Sequence, residues 1–307
     1  MFLPWFPTSI QAQNFATFNK NSLVLSNGLV EREIIIKDGN ILTKSLKING
    51  NDLNFDSEKS KEFSLYIDGK YCDGQSGWSL KSFKNASDNH QGKGATVKLQ
   101  GTKDFWGIEV DITYLLYPDL PVIRKQICIL NNSGKEIMIE SFDVEKLILG
   151  FSFVRAVAYV NYGRQKHLST YISDWDDPVI AIHSYKENAG ILLGNESPGV
   201  LKRTAYNTEY DNADIGLTHK EEKYPFRKYI KNADQWTSPR VFVIPYINSS
   251  DPWMIMNTIL ANFVRRHMGL RINEIQIRPT VMYNSYIPFY EKISDTLLQD
   301  QAKIAAK

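Results

Sequence analysis

The sequence predicts a mainly β protein, in which a large antiparallel β-sandwich is followed by one helix and then by a strand–helix unit. From residue 22 to about residue 247, short apolar or alternating runs are separated by turns rich in Gly, Asn and Asp. Runs of this kind that also carry many β-branched and aromatic residues are typical of strands. After residue 250 the apolar residues recur at spacings of three and four, the period of a helix. The chain has 307 residues, so we expect one large β domain plus something smaller.

Nine segments carry the clearest strand pattern. They are bounded by turn dipeptides such as Asp38-Gly39, Asn49-Gly50 and Asp68-Gly69. Because successive strands joined by short turns pair side by side, these segments predict a large antiparallel sandwich. The predicted strands cover residues 29–36, 63–67, 95–99, 108–117, 122–130, 137–142, 179–184, 190–193 and 240–246.

A helix is predicted over residues 252–268. Asp251 is a suitable N-cap, Pro252 suits the first turn, and Gly269 can end the helix. The apolar stripe of this helix predicts that it packs against another surface. The stripe consists of Met256, Ile259, Leu260, Phe263, Val264 and His267.

The last thirty residues read as one strand followed by one helix. Residues 278–286 form a strand with a polar end, and a second helix begins near Ser294. The residues of this helix expected to face a core are Leu297, Leu298, Ala302, Ile304 and Ala305. A lone βα unit has no partner strand to cover its apolar face. It therefore either packs opportunistically or marks the truncation of a βα repeat domain.

The last segment reads PTVMYNSY at 279–286, followed by FY and the helix start SDTLL. It resembles the first βα unit of the catalytic barrel in the family 36 glycoside hydrolases, the α-galactosidases. Upstream segments occur in the family order and resemble its N-terminal supersandwich and linker helix. These are residues 27–34 (NGLVEREI), 121–134 (PVIRKQICILNNSG), 189–196 (AGILLGNE) and 263–267 (FVRRH).

The resemblance implies a galactose mutarotase-like β-supersandwich followed by the start of a (β/α)8 barrel. Residues 1–16 are interpreted as a signal-peptide remnant or a disordered N-terminus, and residues 17–249 as the supersandwich. Residues 250–277 would form the linker helix and connection, and residues 278–307 the truncated beginning of the barrel. An exported protein is expected, because the first thirteen residues are apolar and then small, and carry no charge.

The same resemblance implies that the complete protein is a retaining α-glycosidase, with an α-galactosidase as the expected activity. Such enzymes use one Asp as nucleophile and a second carboxylic acid as proton donor. Both acids lie on later barrel strands, so we assign no catalytic residue to this chain and expect the chain alone to be inactive. Other α-glycosides remain open as substrates, because Tyr286 stands where the family usually has Trp and SDWDDP at 173–178 replaces a Gly- and Ser-rich family motif.

Four residues are predicted to contact the sugar. Asn284 and Tyr286 would emerge at the C-terminal end of the first barrel strand, where barrel active sites form. Trp175 and Asp176 combine an indole with a carboxylate, which suits recognition of a polyol by stacking and hydrogen bonding. The rival interpretations are ordinary packing for Tyr286, a turn or buried hydrogen bond for Asn284, and a plain Asp-rich turn for residues 174–178.

Composition and spacing disfavour other classes of function. The net charge of +2 and the lack of a Lys/Arg run argue against nucleic acid as a partner. No apolar run is long enough to span a membrane. The five His and two Cys have no short metal-ligand spacing, and no nucleotide-binding Gly-rich loop occurs, so we expect no metal and no cofactor. Cys72 and Cys128 are interpreted as buried apolar residues rather than as a disulfide.

Two alternatives to the hydrolase interpretation stay open. A stand-alone carbohydrate-binding sandwich would have no reason to carry the linker helix and the βα unit. A scaffold protein would use the sandwich for protein contacts only, and fold analogy does not exclude it. Carbohydrate is the expected partner both of a hydrolase and of a stand-alone carbohydrate-binding sandwich. Self-association into a homo-oligomer is expected, because a surface that evolved to be covered by a barrel should be apolar.

Overall fold

The structure is a computed structural model that describes residues 15–160, 164–168, 171–172, 178–197, 199, 201–207, 209–268 and 294–305. The described residues up to Met268 belong to one compact unit, and the helix Asp295–Ala305 belongs to a second. The predicted barrel strand at 278–286 lies outside the described residues, and the domain boundaries at residues 16, 249 and 277 remain predictions.

The described residues of the first unit form twenty-two strands. The first eleven are β1 (Ala16–Asn19), β2 (Ser22–Ser26), β3 (Val30–Lys37), β4 (Asn40–Ile48), β5 (Asn51–Asp52), β6 (Ser64–Ile67), β7 (Lys70–Asp73), β8 (Trp78–Ser87), β9 (Lys93–Gly101), β10 (Ile108–Tyr117) and β11 (Leu120–Asn131). The others are β12 (Ile137–Ile148), β13 (Val154–Val160), β14 (Arg164–Leu168), β15 (Tyr171–Ile172), β16 (Val179–Ser184), β17 (Ala189–Asn195), β18 (Lys202–Asn207), β19 (Asn212–Leu217), β20 (Arg227–Ile230), β21 (Gln235–Thr237) and β22 (Val241–Tyr246). A 3-10 turn, Lys103–Phe105, joins β9 to β10.

The strands form three antiparallel sheets. The five-stranded sheet has the order β1-β2-β3-β4-β5. The ten-stranded sheet has the order β14-β13-β16-β17-β22-β11-β10-β9-β8, with β21 also paired to β11. The seven-stranded sheet has the order β15-β18-β19-β12-β6-β7, with β20 also paired to β12. The predicted mainly β, antiparallel sandwich is therefore confirmed.

All three sheets contribute to one apolar core. Strand β3 alternates strictly between buried and half-buried residues, as expected for a strand with one face in the core. Ile34 of the five-stranded sheet, Ile112 of the ten-stranded sheet and Ile139 of the seven-stranded sheet are all fully buried in this core. The two cysteines are free, with Cys72 buried in the core and Cys128 half-buried.

The predicted helix packs on the outer face of the ten-stranded sheet. This helix, α1, runs through Pro252–Ile255, a π-helical segment Met256–Leu260, and Ala261–His267. Asp251 caps it, because its side chain accepts a hydrogen bond of 2.9 Å from the Trp253 amide. Phe263 is fully buried against Tyr117 and Phe242 of the sheet. The predicted helix is thus confirmed, and its stripe faces the sheet, with Met256, Phe263 and His267 buried and Ile259, Leu260 and Val264 half-buried.

The second unit contributes helix α2, Asp295–Ala305, close to where the sequence predicts it. Leu298 and Ile304 are 38% and 65% exposed, so the expectation that they face a core is wrong. No helix among the described residues has the length and apolar character that a membrane-spanning segment needs.

Candidate functional site

The four residues predicted to contact sugar, Trp175, Asp176, Asn284 and Tyr286, lie outside the described residues. Their roles remain predictions. The described strand nearest to Trp175 in the sequence is β15, which forms one edge of the seven-stranded sheet and pairs with β18. The polar face of this sheet is therefore the candidate site that the described residues offer.

Alternation along the strands creates this face. In β6, Leu65 and Ile67 point into the core, so Ser64 and Tyr66 lie on the opposite, outer face. Strand β12 changes register with β6 and β19 around Asp143, and Ser141 takes a left-handed conformation with φ of 51°. Opposite Asp143, a Cβ on Gly216 would lie 2.1 Å from the carbonyl oxygen of Phe142. Only glycine therefore fits beside this bulge.

The bulge places Asp143 among polar partners on the outer face. Its Oδ1 lies 2.8 Å from Nε2 of His219, and its Oδ2 accepts a hydrogen bond of 2.8 Å from the Ser64 hydroxyl. Burial opposes ionisation of Asp143, but the hydrogen bond and charge of His219, together with the charge of Arg203, outweigh it and lower the pKa. In a catalytic triad the histidine lies between the acid and the serine. Here Ser64 and His219 both bind Asp143 directly, so this group does not activate the serine.

A second acid, Asp214, lies on the neighbouring strand β19. Burial and the charge of Asp143 raise the pKa of Asp214 to about 6, although Arg203 and Lys146 act in the opposite direction. Arg203 Nη1 is 3.6 Å from Asp214 Oδ2, and Lys146 Nζ is 3.8 Å from Oδ1. Within the described part of the chain, Asp214 Oδ1 and Arg203 Nη1 are buried without a hydrogen-bond partner.

A loop of residues 218–226 is fastened over this cluster. The Lys220 amide donates a hydrogen bond of 2.9 Å to the Ser141 hydroxyl, and Arg203 Nε donates one of 2.8 Å to Glu222. The His219–Asp143 contact adds a third attachment at the start of the loop. The polar cluster thus holds the loop against the sheet.

Two carboxyl groups with opposite pKa shifts are typical of an acid–base pair. Here, however, the side chains of Asp143 and Asp214 are only 2% and 4% exposed. A glycosidase pair must reach opposite sides of a glycosidic bond, which two buried side chains on adjacent strands of one sheet face do not do. The cluster is therefore a structural anchor for the loop. The described ranges contain no group of three His, Cys, Asp or Glu side chains that could hold a metal ion.

Farther along the same outer face, three tyrosines are accessible. Tyr66 of β6 pairs with Tyr71 of β7 and with Glu140 of β12, and Tyr229 of β20 pairs with Met138 of β12. Tyr71 and Tyr229 are 49% and 58% exposed. We call the surface formed by Tyr66, Tyr71, Met138, Glu140, Arg227 and Tyr229 the tyrosine face.

A second polar cluster lies inside the sandwich, where no ligand reaches it. It contains four charged side chains that are each 1% exposed, namely Arg32, Glu62, Lys125 and Glu145. Arg32 lies 2.8 Å from Glu62 and 2.7 Å from Glu145, and Lys125 lies 2.8 Å and 3.3 Å from the same two acids. The two positive and two negative charges balance. The cluster has no counterpart among the sequence-based predictions.

Known proteins resemble this chain in fold. No protein-family model and no curated protein matches the sequence. The galactosidase domain of the α-galactosidase–sucrose kinase AgaSK superposes on 95% of this chain with a TM-score of 0.74 and 12% identity. An α-galactosidase from Lactobacillus brevis superposes on 93% with a TM-score of 0.70 and 10% identity. The GH36 α-galactosidase AgaB from Geobacillus stearothermophilus superposes on 76% with a TM-score of 0.59 and 10% identity.

This chain spans about half of those proteins or less, since the matches cover 49%, 47% and 41% of their lengths. At these identities the similarity shows the fold alone. The resemblance to family 36 α-galactosidases that the sequence suggests is therefore confirmed at the level of the fold.

Proposed function

We propose that this chain is the non-catalytic β-sandwich part of a retaining α-glycosidase of the α-galactosidase type. The observation that supports this proposal is the coverage: nearly the whole chain superposes on about half of two α-galactosidases, with TM-scores of 0.70 and 0.74. A free-standing sandwich would need no helix after its last strand. Here helix α1 is present and packed on the sheet.

The role of the sandwich would be to support the catalytic part of the complete enzyme. His267, near the end of the helix, is 1% exposed, and its two ring nitrogens lie 2.8 Å from the His90 carbonyl oxygen and 3.0 Å from Asp119 Oδ1. Arg124 donates a hydrogen bond of 3.3 Å to the His267 carbonyl oxygen and is itself paired with Glu196. The C-terminal end of helix α1 is therefore fastened to the ten-stranded sheet.

The finer parts of this proposal concern the substrate. We expect α-galactosides as the substrates, with Tyr286, Asn284, Trp175 and Asp176 at the rim of the site in the complete enzyme. The reaction itself would use two acids that this chain does not provide. Export from the cytoplasm and self-association of the chain belong to the same proposal.

The test is to express this chain and the complete reading frame that contains it, and to assay both on 4-nitrophenyl α-galactoside, α-glucoside and N-acetyl-α-galactosaminide. We expect the complete protein to hydrolyse the α-galactoside and the chain alone to hydrolyse none of the three. Hydrolysis by the chain alone would show that it is catalytic. A complete protein that cleaves none of the three would remove the support for the α-galactosidase assignment.

The substrate rim is tested in the complete protein. Tyr286→Ala and Asn284→Ala are expected to raise KM for the α-galactoside, whereas Tyr210→Ala, at an exposed turn between β18 and β19, serves as the control. Unchanged KM values in both rim variants would mean that these residues only pack near the end of a strand.

A further inference from the structure

The tyrosine face is an open aromatic surface on a rigid sheet. Tyr71, Tyr66 and Tyr229 lie on three strands, β7, β6 and β20, and β12 runs between the last two. Three inter-strand spacings of about 4.8 Å separate β7 from β20, so the face is roughly 14 Å wide. A surface of this width matches several sugar rings in a row better than one.

Two of the three rings, Tyr66 and Tyr71, contact each other before any ligand arrives. Tyr66 and Tyr71 meet edge to face, with ring centroids 5.4 Å apart and planes at 64°. Lys220 Nζ lies 4.3 Å from the centroid of Tyr66. Aromatic rings that are already fixed lose little conformational entropy on binding, which favours affinity.

Between the tyrosines lie hydrogen-bonding groups of both kinds. Arg227 Nε is 3.3 Å from Glu140 Oε2; the side chain of Arg227 is 55% exposed, whereas that of Glu140 is 9% exposed. Arginine only donates hydrogen bonds and an ionised carboxylate only accepts them, so a hydroxyl group, which does both, fits beside this pair. Met138 is the aliphatic member of the face, and it is half-buried.

We propose that the tyrosine face binds a neutral polysaccharide, whose sugar rings stack on Tyr71 and Tyr229 and whose hydroxyl groups bond to Arg227. The exposed faces of phenol rings suit the C–H faces of sugars. A protein partner would be favoured by a core depleted of charge, which this face does not have. A nucleic acid would require an excess of positive charge, whereas Arg227 faces the carboxylate of Glu140 and Lys220 lies 3.9 Å from the carboxylate of Glu221. The inference goes beyond the proposed function, because binding at this face requires neither a barrel nor catalysis.

The experiment is affinity electrophoresis of the intact chain through native gels that contain galactomannan, xyloglucan or soluble starch. We expect at least one polysaccharide to retard the wild-type chain. Tyr71→Ala and Tyr229→Ala should each weaken the association constant between about twofold and tenfold, and the double variant by roughly the product. Both side chains are about half exposed, so the variants should fold, which circular dichroism and thermal unfolding will verify.

The matched control is Tyr210→Ala. Tyr210 is 63% exposed and lies by the turn that contacts the far end of β12, where the Leu149 amide donates to the Asp211 carbonyl oxygen. This end is roughly 35 Å from Met138, because β12 is twelve residues long. Retardation that Tyr210→Ala weakens as much as the face variants would overturn the proposal, and so would a wild-type chain that none of the three gels retards. The proposal would also fail if Tyr71→Ala and Tyr229→Ala dissociated a dimer in sedimentation equilibrium, because the face would then bind a second copy. Each outcome is independent of the hydrolysis assay.

Discussion

Glu62 is the residue whose replacement should damage the sandwich most clearly through electrostatics. Both oxygens of its carboxylate accept hydrogen bonds from Arg32 Nη2, at 2.8 and 2.9 Å. Lys125 Nζ donates at 2.8 Å and the Tyr114 hydroxyl at 2.6 Å, and Thr43 also bonds to it. Burial opposes its ionisation, but the charges of Arg32 and Lys125 outweigh burial and hold the pKa of Glu62 well below its usual range.

Glu62→Gln keeps the shape of the side chain and removes one charge. The buried set then carries two positive charges and one negative, and the new amide nitrogen faces donors. Breaking a buried ion pair on one side typically costs about 3–5 kcal/mol, because the remaining charge stays desolvated. Since Glu62 is 1% exposed, solvent screens this loss very little. At a urea m value of about 3 kcal/mol/M, this loss would move the unfolding midpoint by ~1–1.7 M.

The control is Asp104→Asn, which breaks the pair between Asp104 and Lys70. The side chains of this pair are 69% and 60% exposed, so its loss should cost about 1 kcal/mol or less. Urea unfolding of the three proteins, followed by intrinsic tryptophan fluorescence, gives the comparison. If Glu62→Gln shifts the midpoint no more than Asp104→Asn does, removing one buried charge costs no more than breaking an exposed ion pair, and our account of the interior network is wrong.

Three further predictions concern the outer face and helix α1. Because the pKa of Asp214 is raised in the folded state from its usual 3.8 to about 6, its ionisation opposes folding above about pH 6 and has no effect below about pH 4. Asp214→Asn should therefore stabilise the fold by up to about 3 kcal/mol at pH 7.5 and by little at pH 4. Urea unfolding at both pH values checks this, and an equal gain in unfolding free energy at pH 7.5 and pH 4 would refute the linkage. His219→Ala should leave Asp143 without its 2.8 Å partner and loosen residues 218–226, so that trypsin cleaves faster after the exposed Lys223; an unchanged cleavage rate by mass spectrometry would show that His219 is not an anchor. Asp251→Ala should cost about 1 kcal/mol in thermal unfolding, since it removes the cap of helix α1, and no loss would mean that tertiary packing alone sets the start of the helix.

The sequence predicts the strands of the core well, for a physical reason. Strands β10 and β16 occur at the predicted residues, 108–117 and 179–184. Each is rich in β-branched residues, and each is preceded by a residue that breaks regular structure, Gly107 or Pro178. Strand β8, Trp78–Ser87, has no such prediction, because it is an edge strand of polar, largely exposed residues whose pairing with β9 is the feature that makes it a strand.

The register in which the strands pair could not be predicted from the sequence. Tyr66, Tyr71 and Tyr229 are far apart in the chain, and only the pairings of β6 with β7 and of β12 with β6 and β20 bring them onto one face. Strand β6 has only four residues, so its alternation of inward and outward side chains is too short to predict the tyrosine face. The bulge at Asp143 has the same origin, since a positive φ at Ser141 is set by the partner strands and not by serine itself.

The interior charge network is equally invisible in the sequence, yet it explains how three sheets keep one arrangement. Arg32 lies in the five-stranded sheet, Lys125 in the ten-stranded sheet and Glu145 in the seven-stranded sheet. Apolar contacts in the core do not depend on direction, whereas hydrogen bonds among these side chains do. A shift of one sheet by one residue would preserve much of the apolar contact but would leave buried charges unpaired, at a cost of several kcal/mol. We therefore expect the network to select the arrangement of the sheets rather than to add net stability, and both outer faces, the one that holds helix α1 and the one that carries the tyrosines, depend on that selection.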